Sequence, residues 1–107
     1  MKFTDFSVSL TVKNLDTSLR FYSAFGFEVI DGGHQSDEFP DSDQTKWRIL
    51  QCSNLKIGLF QGMFDCNMLT FHNADTNSIF ERLKENKLDV NDSSMIEDPD
   101  GNKILFE

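Results

Sequence analysis

From Phe6 to Val12 apolar and small polar residues alternate, with Phe6, Val8, Leu10 and Val12 on one side and Ser7, Ser9 and Thr11 on the other. A period of two is that of a half-buried strand, so the segment predicts β-structure with a core face and an opposite, polar face. The period then changes. Asn14 offers a side-chain oxygen suited to a helix N-cap, and Leu15, Leu19, Tyr22 and Phe25 recur at spacings of three and four. That is one stripe of an amphipathic helix, which Gly26 ends. Phe27 to Ile30 reads as a short strand, and Trp47 to Cys52 and Leu55 to Gln61 as two longer ones joined by a tight turn at Ser53-Asn54.

The same order then restarts. Laid over Met68–Val90 at a constant offset of 61 residues, Ser7–Val29 sets Val8 on Leu69, Leu10 on Phe71, Asn14 on Asp75, Leu19 on Phe80, Tyr22 on Leu83 and Phe27 on Leu88. Strand falls on strand, cap on cap and helical stripe on helical stripe. Asp75 is thereby a second N-cap, Ile79, Phe80 and Leu83 a second apolar helix face, and Leu88 to Val90 the start of another strand, with a further brief strand around Met95. Asp98-Pro99-Asp100-Gly101-Asn102 predicts a turn, since Pro fixes φ and Gly is free to take a positive one; Lys103 to Glu107 closes the chain as a strand. Val29 to Ile57 spans 28 residues, whereas Val90 to its counterpart Ile104 spans 14, so the second copy is the shorter. The reading is a single α+β domain over residues 1–107, built from two βαβββ modules, the first over 1–62 and the shortened second over 67–107.

Residues 31–45 stand outside this pattern. Asp31, Asp37, Glu38, Asp41 and Asp43 lie among glycine, serine and proline with no Lys or Arg, the composition of a solvated and mobile flap. Charge narrows the partners. The 107 residues carry 18 acidic against ten basic side chains, a formal charge of −8, which argues against nucleic acid and anionic membranes because both require clustered cations. Eleven Phe and 38% hydrophobic residues argue equally against disorder. Cys52 and Cys66 form no Cys-x-x-Cys pair, as expected of buried thiols in a reducing compartment, and no apolar run approaches a membrane span. A soluble cytoplasmic protein is the expectation.

Val8-x-Leu10-x-Val12-Lys13-Asn14-Leu15, Ser18-Leu19-x-Phe21-Tyr22 and Phe25-Gly26-Phe27-Glu28-Val29, with the later Asp98-Pro99-Asp100-Gly101-Asn102-Lys103-Ile104, resemble the vicinal oxygen chelate superfamily of glyoxalases, bleomycin-resistance proteins and extradiol dioxygenases. The resemblance covers essentially the whole chain. It implies a cup-shaped mixed sheet with the helices outside, and in metal-dependent members a divalent ion held by inward His and Glu side chains. Those ligand positions fall here on Ser7, Gly58, Met68 and Leu105. None supplies the imidazole or carboxylate that such an ion requires, so no metal and no other cofactor is expected. His72, four residues beyond Met68 on the same face, and Glu107, two beyond Leu105, offer a shifted pair, and His34 could approach if the flap closed.

Alternation turns Ser7, Ser9 and Thr11 towards the cup, with Met68, Thr70 and His72 from the second module and Leu105 and Glu107 from the last strand, while Leu69 and Phe71 pack into the core. Trp47, Gly58 and Phe60 complete the expected ligand-binding set, which contains no catalytic residue. The function read from these residues is metal-independent sequestration of a cationic or apolar small molecule, in the cup or in the crevice of a homodimer. The alternatives are a metal-dependent enzyme of the same superfamily (lactoylglutathione lyase, thiol transferase or dioxygenase) and a structural or regulatory subunit with a collapsed cup.

Overall fold

Seven strands and two helices follow one another in a computed structural model that describes residues 3–88 and 93–107: β1 (Asp5–Val12), α1 (Leu15–Ser23), β2 (Glu28–Gly32), β3 (Lys46–Cys52), β4 (Leu55–Gln61), β5 (Met68–His72), α2 (Thr76–Glu85), β6 (Met95–Glu97) and β7 (Lys103–Phe106). The fold class is α+β, as expected, with strands of mixed direction. The chain divides into two compact units, Ser7–Asn67 and Met68–Glu107, the latter joined by the N-terminal strip up to Phe6. No helix among the described residues is long and apolar enough to cross a membrane.

In the first unit the strand order is β2-β3-β4-β1, with β1 parallel to β4 and the other two pairings antiparallel. Register decides the core. Leu10 lies opposite Leu59 and Leu50 opposite Ile57, so all four side chains emerge on one face, where they meet Leu15 of α1. Leu15, Leu50 and Leu59 are fully buried, with Val12, Leu19, Tyr22 and Phe27 packed around them. The helical stripe is shorter than its spacing predicts. α1 stops at Ser23 and Gly26 takes φ 111°, a left-handed turn that leaves Phe25 57% exposed instead of in the core.

In the second unit the order is β5-β7-β6, with β5 parallel to β7 and β6 antiparallel to it. Its registers repeat those of the first: Val8 opposite Ile57 and Ser9 opposite Gly58 become Leu69 opposite Ile104 and Thr70 opposite Leu105. Ile79 and Phe106 are buried, Phe80 meets Phe106 edge-on at 6.2 Å, and the rings of Phe3 and Phe6 lie 4.9 and 5.1 Å from Phe71. The expectation that Leu69 packs into the core is corrected. Leu69 is 38% exposed, while Met68 and Thr70 on the opposite face are 2% and 1% exposed. Phe80 of the ten-residue α2 packs on Phe106, which in turn meets Phe71. β6 has the brief length expected, but Leu88 lies in no strand, and the expected strand position at Val90 is outside the described residues.

The duplication is most exact in the backbone. Asn14 accepts from the Thr17 amide at 3.1 Å and Asp75 from the Ser78 amide at 3.2 Å, each capping its helix. At the other helix end Phe27 N–H donates to the Tyr22 carbonyl and Leu88 N–H to the Leu83 carbonyl, the bonds of a Schellman motif. All these pairs are related by the same offset of 61 residues. The left-handed residue inside the motif is Gly26 in the first copy and Lys87, at φ 60°, in the second.

Candidate functional site

The face of the first unit turned away from its leucine core is built by three strands. Ser9 lies opposite Gly58 and Gly58 opposite Ile49, while Thr11 lies opposite Phe60 and Phe60 opposite Trp47. Ser7 and Ser9 are buried, and Thr11 is exposed. Phe60 leans back along its strand over Gly58: a Cβ built on Gly58 would stand 2.6 Å from Phe60 Cε2 and 3.3 Å from Ile49 Cδ1. A side chain at this position would displace the Phe60 ring. The Phe60 ring is stacked with Trp47, centroids 6.3 Å apart and planes within 8°, and meets Phe64 edge-on at 5.2 Å. This aromatic row is anchored at both ends. Trp47 Nε1 donates to the Phe39 carbonyl at 2.7 Å, and Thr11 Oγ1 donates to the Phe64 carbonyl at 2.8 Å.

The acidic insert beside the row, expected as a solvated flap, is tied to the sheet by hydrogen bonds. Arg48 on β3 grips Asp41 through two hydrogen bonds of 3.0 and 2.8 Å, and the guanidinium holds the Asp41 carboxyl below its ordinary value. Gly33 N–H donates to the Trp47 carbonyl and Asp41 N–H to the Gly33 carbonyl, both at 3.0 Å, extending β2 into the insert. A side chain at Gly33 would collide with Asp41. Asp37, Glu38 and Asp43 remain exposed on its surface. The cysteines are half-buried, not fully buried as expected.

The second unit presents Met68, Thr70, His72, Lys103 and Leu105 on one face, with Met95 and Glu97 of β6 opposite Leu105 and Lys103. Lys103 pairs with Glu97. His72 Nδ1 lies 2.9 Å from Glu107 Oε2, so these two side chains pair with each other. The Glu107 backbone is tied on both sides, its N–H donating to the Phe71 carbonyl at 3.0 Å and its carbonyl accepting from Asn73 N–H at 2.7 Å.

A divalent ion does not fit the four family ligand positions. Ser7 offers a neutral hydroxyl, Gly58 and Leu105 offer no donor, and Met68 offers a thioether suited to softer metals. Gly58 could not be changed to a carboxylate without displacing Phe60. Among the described residues no group of three or more His, Cys, Asp and Glu is gathered to hold an ion.

The sequence alone did not disclose Ile49, Phe64 or the Arg48–Asp41 clamp. Ile49 follows from the alternation that starts at Trp47, and Arg48 is the second cation after a purely acidic run; Phe64 carries no such signal.

The fold defined by these modules is the vicinal oxygen chelate fold. A glyoxalase/bleomycin resistance protein/dioxygenase superfamily member from Vibrio splendidus matches over 95% of this chain and 96% of its own, with TM-score 0.63 and 18% identity. Methylmalonyl-CoA epimerase from Mycobacterium tuberculosis matches over 94% and 83%, with TM-score 0.62 and 13% identity. A Legionella pneumophila protein described as an NAD-dependent benzaldehyde dehydrogenase matches over 95% and 96%, with TM-score 0.61 and 15% identity. No protein-family model and no curated protein matches the chain. Three descriptions this different, at identities this low, establish a shared fold and leave the activity to the site.

Proposed function

We propose that this chain is a metal-independent small-molecule-binding protein that takes a flat, cationic or apolar ligand on the aromatic face of its first module. The observation that carries the reading is the Phe60 ring over Gly58: the position that would hold a metal-binding carboxylate is instead part of an aromatic surface, stacked with Trp47 and flanked by Phe64. Such faces attract cations through the ring quadrupole, and the exposed carboxylates of the adjacent insert add attraction of the same sign. Ser7, Ser9, Thr11 and Gly58 line that face. A metal-dependent lyase, transferase or dioxygenase would need an ion to stabilise developing negative charge, and the donor set at the family positions does not supply one. The protein acts, on this reading, in the cytoplasm and as a homodimer.

The test is a calorimetric titration of chelator-treated protein with ethidium and with bleomycin, followed in parallel by the emission of Trp47. Binding well below millimolar, with Trp47 quenched and a five- to tenfold loss (roughly) in Phe60→Ala, supports the reading. Absence of heat up to millimolar ligand, or binding that appears only after an equivalent of Zn, Ni, Mn or Fe is restored, overturns it.

A further inference from the structure

We propose that the second module carries a separate ligand site, a groove for a small amphiphilic anion whose alkyl or aryl body lies among apolar side chains while its carboxylate meets Arg82. The groove has a volume of about 290 Å³ and lies between α2 and the helix-side face of its strands. Phe3 and Phe71, Ile79 and Leu83 of α2, Ile96 of β6, and Ile104 and Phe106 of β7 line it. Arg82 and Asn86 complete the lining. A dry cavity of about 150 Å³ already accepts a benzene ring, so this volume accommodates an aryl or medium-length alkyl chain.

Two observations say what enters it. The first is charge. Arg82 is exposed and forms no ion pair with any described residue, in a chain that has 18 carboxylates to offer; a guanidinium left beside an apolar groove is a ready fork for a carboxylate. The second is the internal comparison. At the offset of 61 residues Arg82 and Asn86 replace Phe21 and Phe25, whose rings pack edge-on at 5.6 Å in the first module. At these positions the second module carries a cation and an amide where the first carries two exposed rings. Asn86 Nδ2 is turned to the Arg82 carbonyl at 2.8 Å, away from the guanidinium. This site lies on the helix side of the second module and selects an anion, so its fate is independent of the cationic site proposed for the first.

The experiment is a methyl and amide NMR titration of the full chain with nonanoate and 4-phenylbutyrate, with nonanol as the uncharged control. The expected result is saturable shifts at Ile79, Leu83, Ile96 and Ile104, with both carboxylates bound more tightly than nonanol. Arg82→Gln should weaken nonanoate about tenfold and leave nonanol unchanged. Asn86→Phe, which restores a ring to the position of Phe25, should abolish binding of all three. Absence of shifts at these methyls in millimolar carboxylate overturns the proposal, as do shifts confined to the indole of Trp47, the chain's single tryptophan, or an Arg82→Gln affinity equal to that of the parent. The same methyls shifting with protein concentration alone would show a second copy in the groove, and would overturn it as well.

Discussion

The two modules share a chain path but not an interior. In the first, Leu15 of α1 inserts between Leu50 and Leu59 and all three are sealed from solvent. In the second, the position equivalent to Leu15 is Thr76, the helix face carries Arg82 and Asn86, and an open groove occupies part of the space beneath. What survives duplication is hydrogen bonding: both N-caps, both Schellman bonds and the parallel registers recur, since each satisfies backbone groups that would otherwise be left without partners. Side chains are under no such common constraint. One module has a closed leucine core and a row of Trp47, Phe60 and Phe64 on the opposite face, while the other has an open groove on its helix side.

The largest test of that contrast is core truncation. Leu59→Ala should cost about 2–5 kcal/mol in denaturant unfolding, as for a sealed leucine; Ile104→Ala, beside a groove that already lacks neighbours, should cost about half as much. Equal losses would mean that the second module is packed as tightly as the first. Next come the caps: Asn14→Ala and Asp75→Ala should each cost about 1 kcal/mol, and a markedly smaller loss at Asp75 would break the equivalence of the two helices. Lys87→Gly should raise stability by roughly 0.5–1 kcal/mol, because Lys87 holds a left-handed conformation that Gly26 adopts without a side-chain penalty. A loss of stability there would contradict the reading.

The smallest effect is local and depends on pH. The Arg48 guanidinium holds Asp41 below its ordinary carboxyl range, so the clamp stabilises the folded insert above that range and is lost as pH falls through the lowered value. Amide exchange at Gly33 and Asp41, corrected for intrinsic rate, should therefore stay protected at neutral pH and open only as the pH falls below the ordinary carboxyl range. Arg48→Gln should open it at neutral pH too. Protection that persists in both cases would show that the backbone bonds alone order the insert.

Much of the fold was legible because local rules agreed. β4 occupies the span predicted for it, β1 and β3 each begin one residue earlier than predicted, and Asn14, Asp75, Gly26 and the Asp98–Asn102 turn do locally what their chemistry requires. Alternation also grouped Ser9 with Thr11, and Met68 with Thr70, on shared faces. It could not say which face would be covered. That is why Leu69 was assigned to the core and is exposed, while Met68 and Thr70 are buried. The clamp and the groove were hidden for a related reason. Arg48 meets Asp41 across the turn of an insert whose composition reads as unstructured, and Arg82 reads as an ordinary helix cation until the facing strands show an apolar space beside it.

Elemental analysis of the untagged protein, purified without added metal or chelator, tests the central claim most directly. The account predicts less than a tenth of an equivalent (roughly) of Zn, Ni, Mn or Fe per chain, because Ser7, Gly58, Met68 and Leu105 provide no donor set for them. One equivalent of any of these, retained through dialysis, would contradict it.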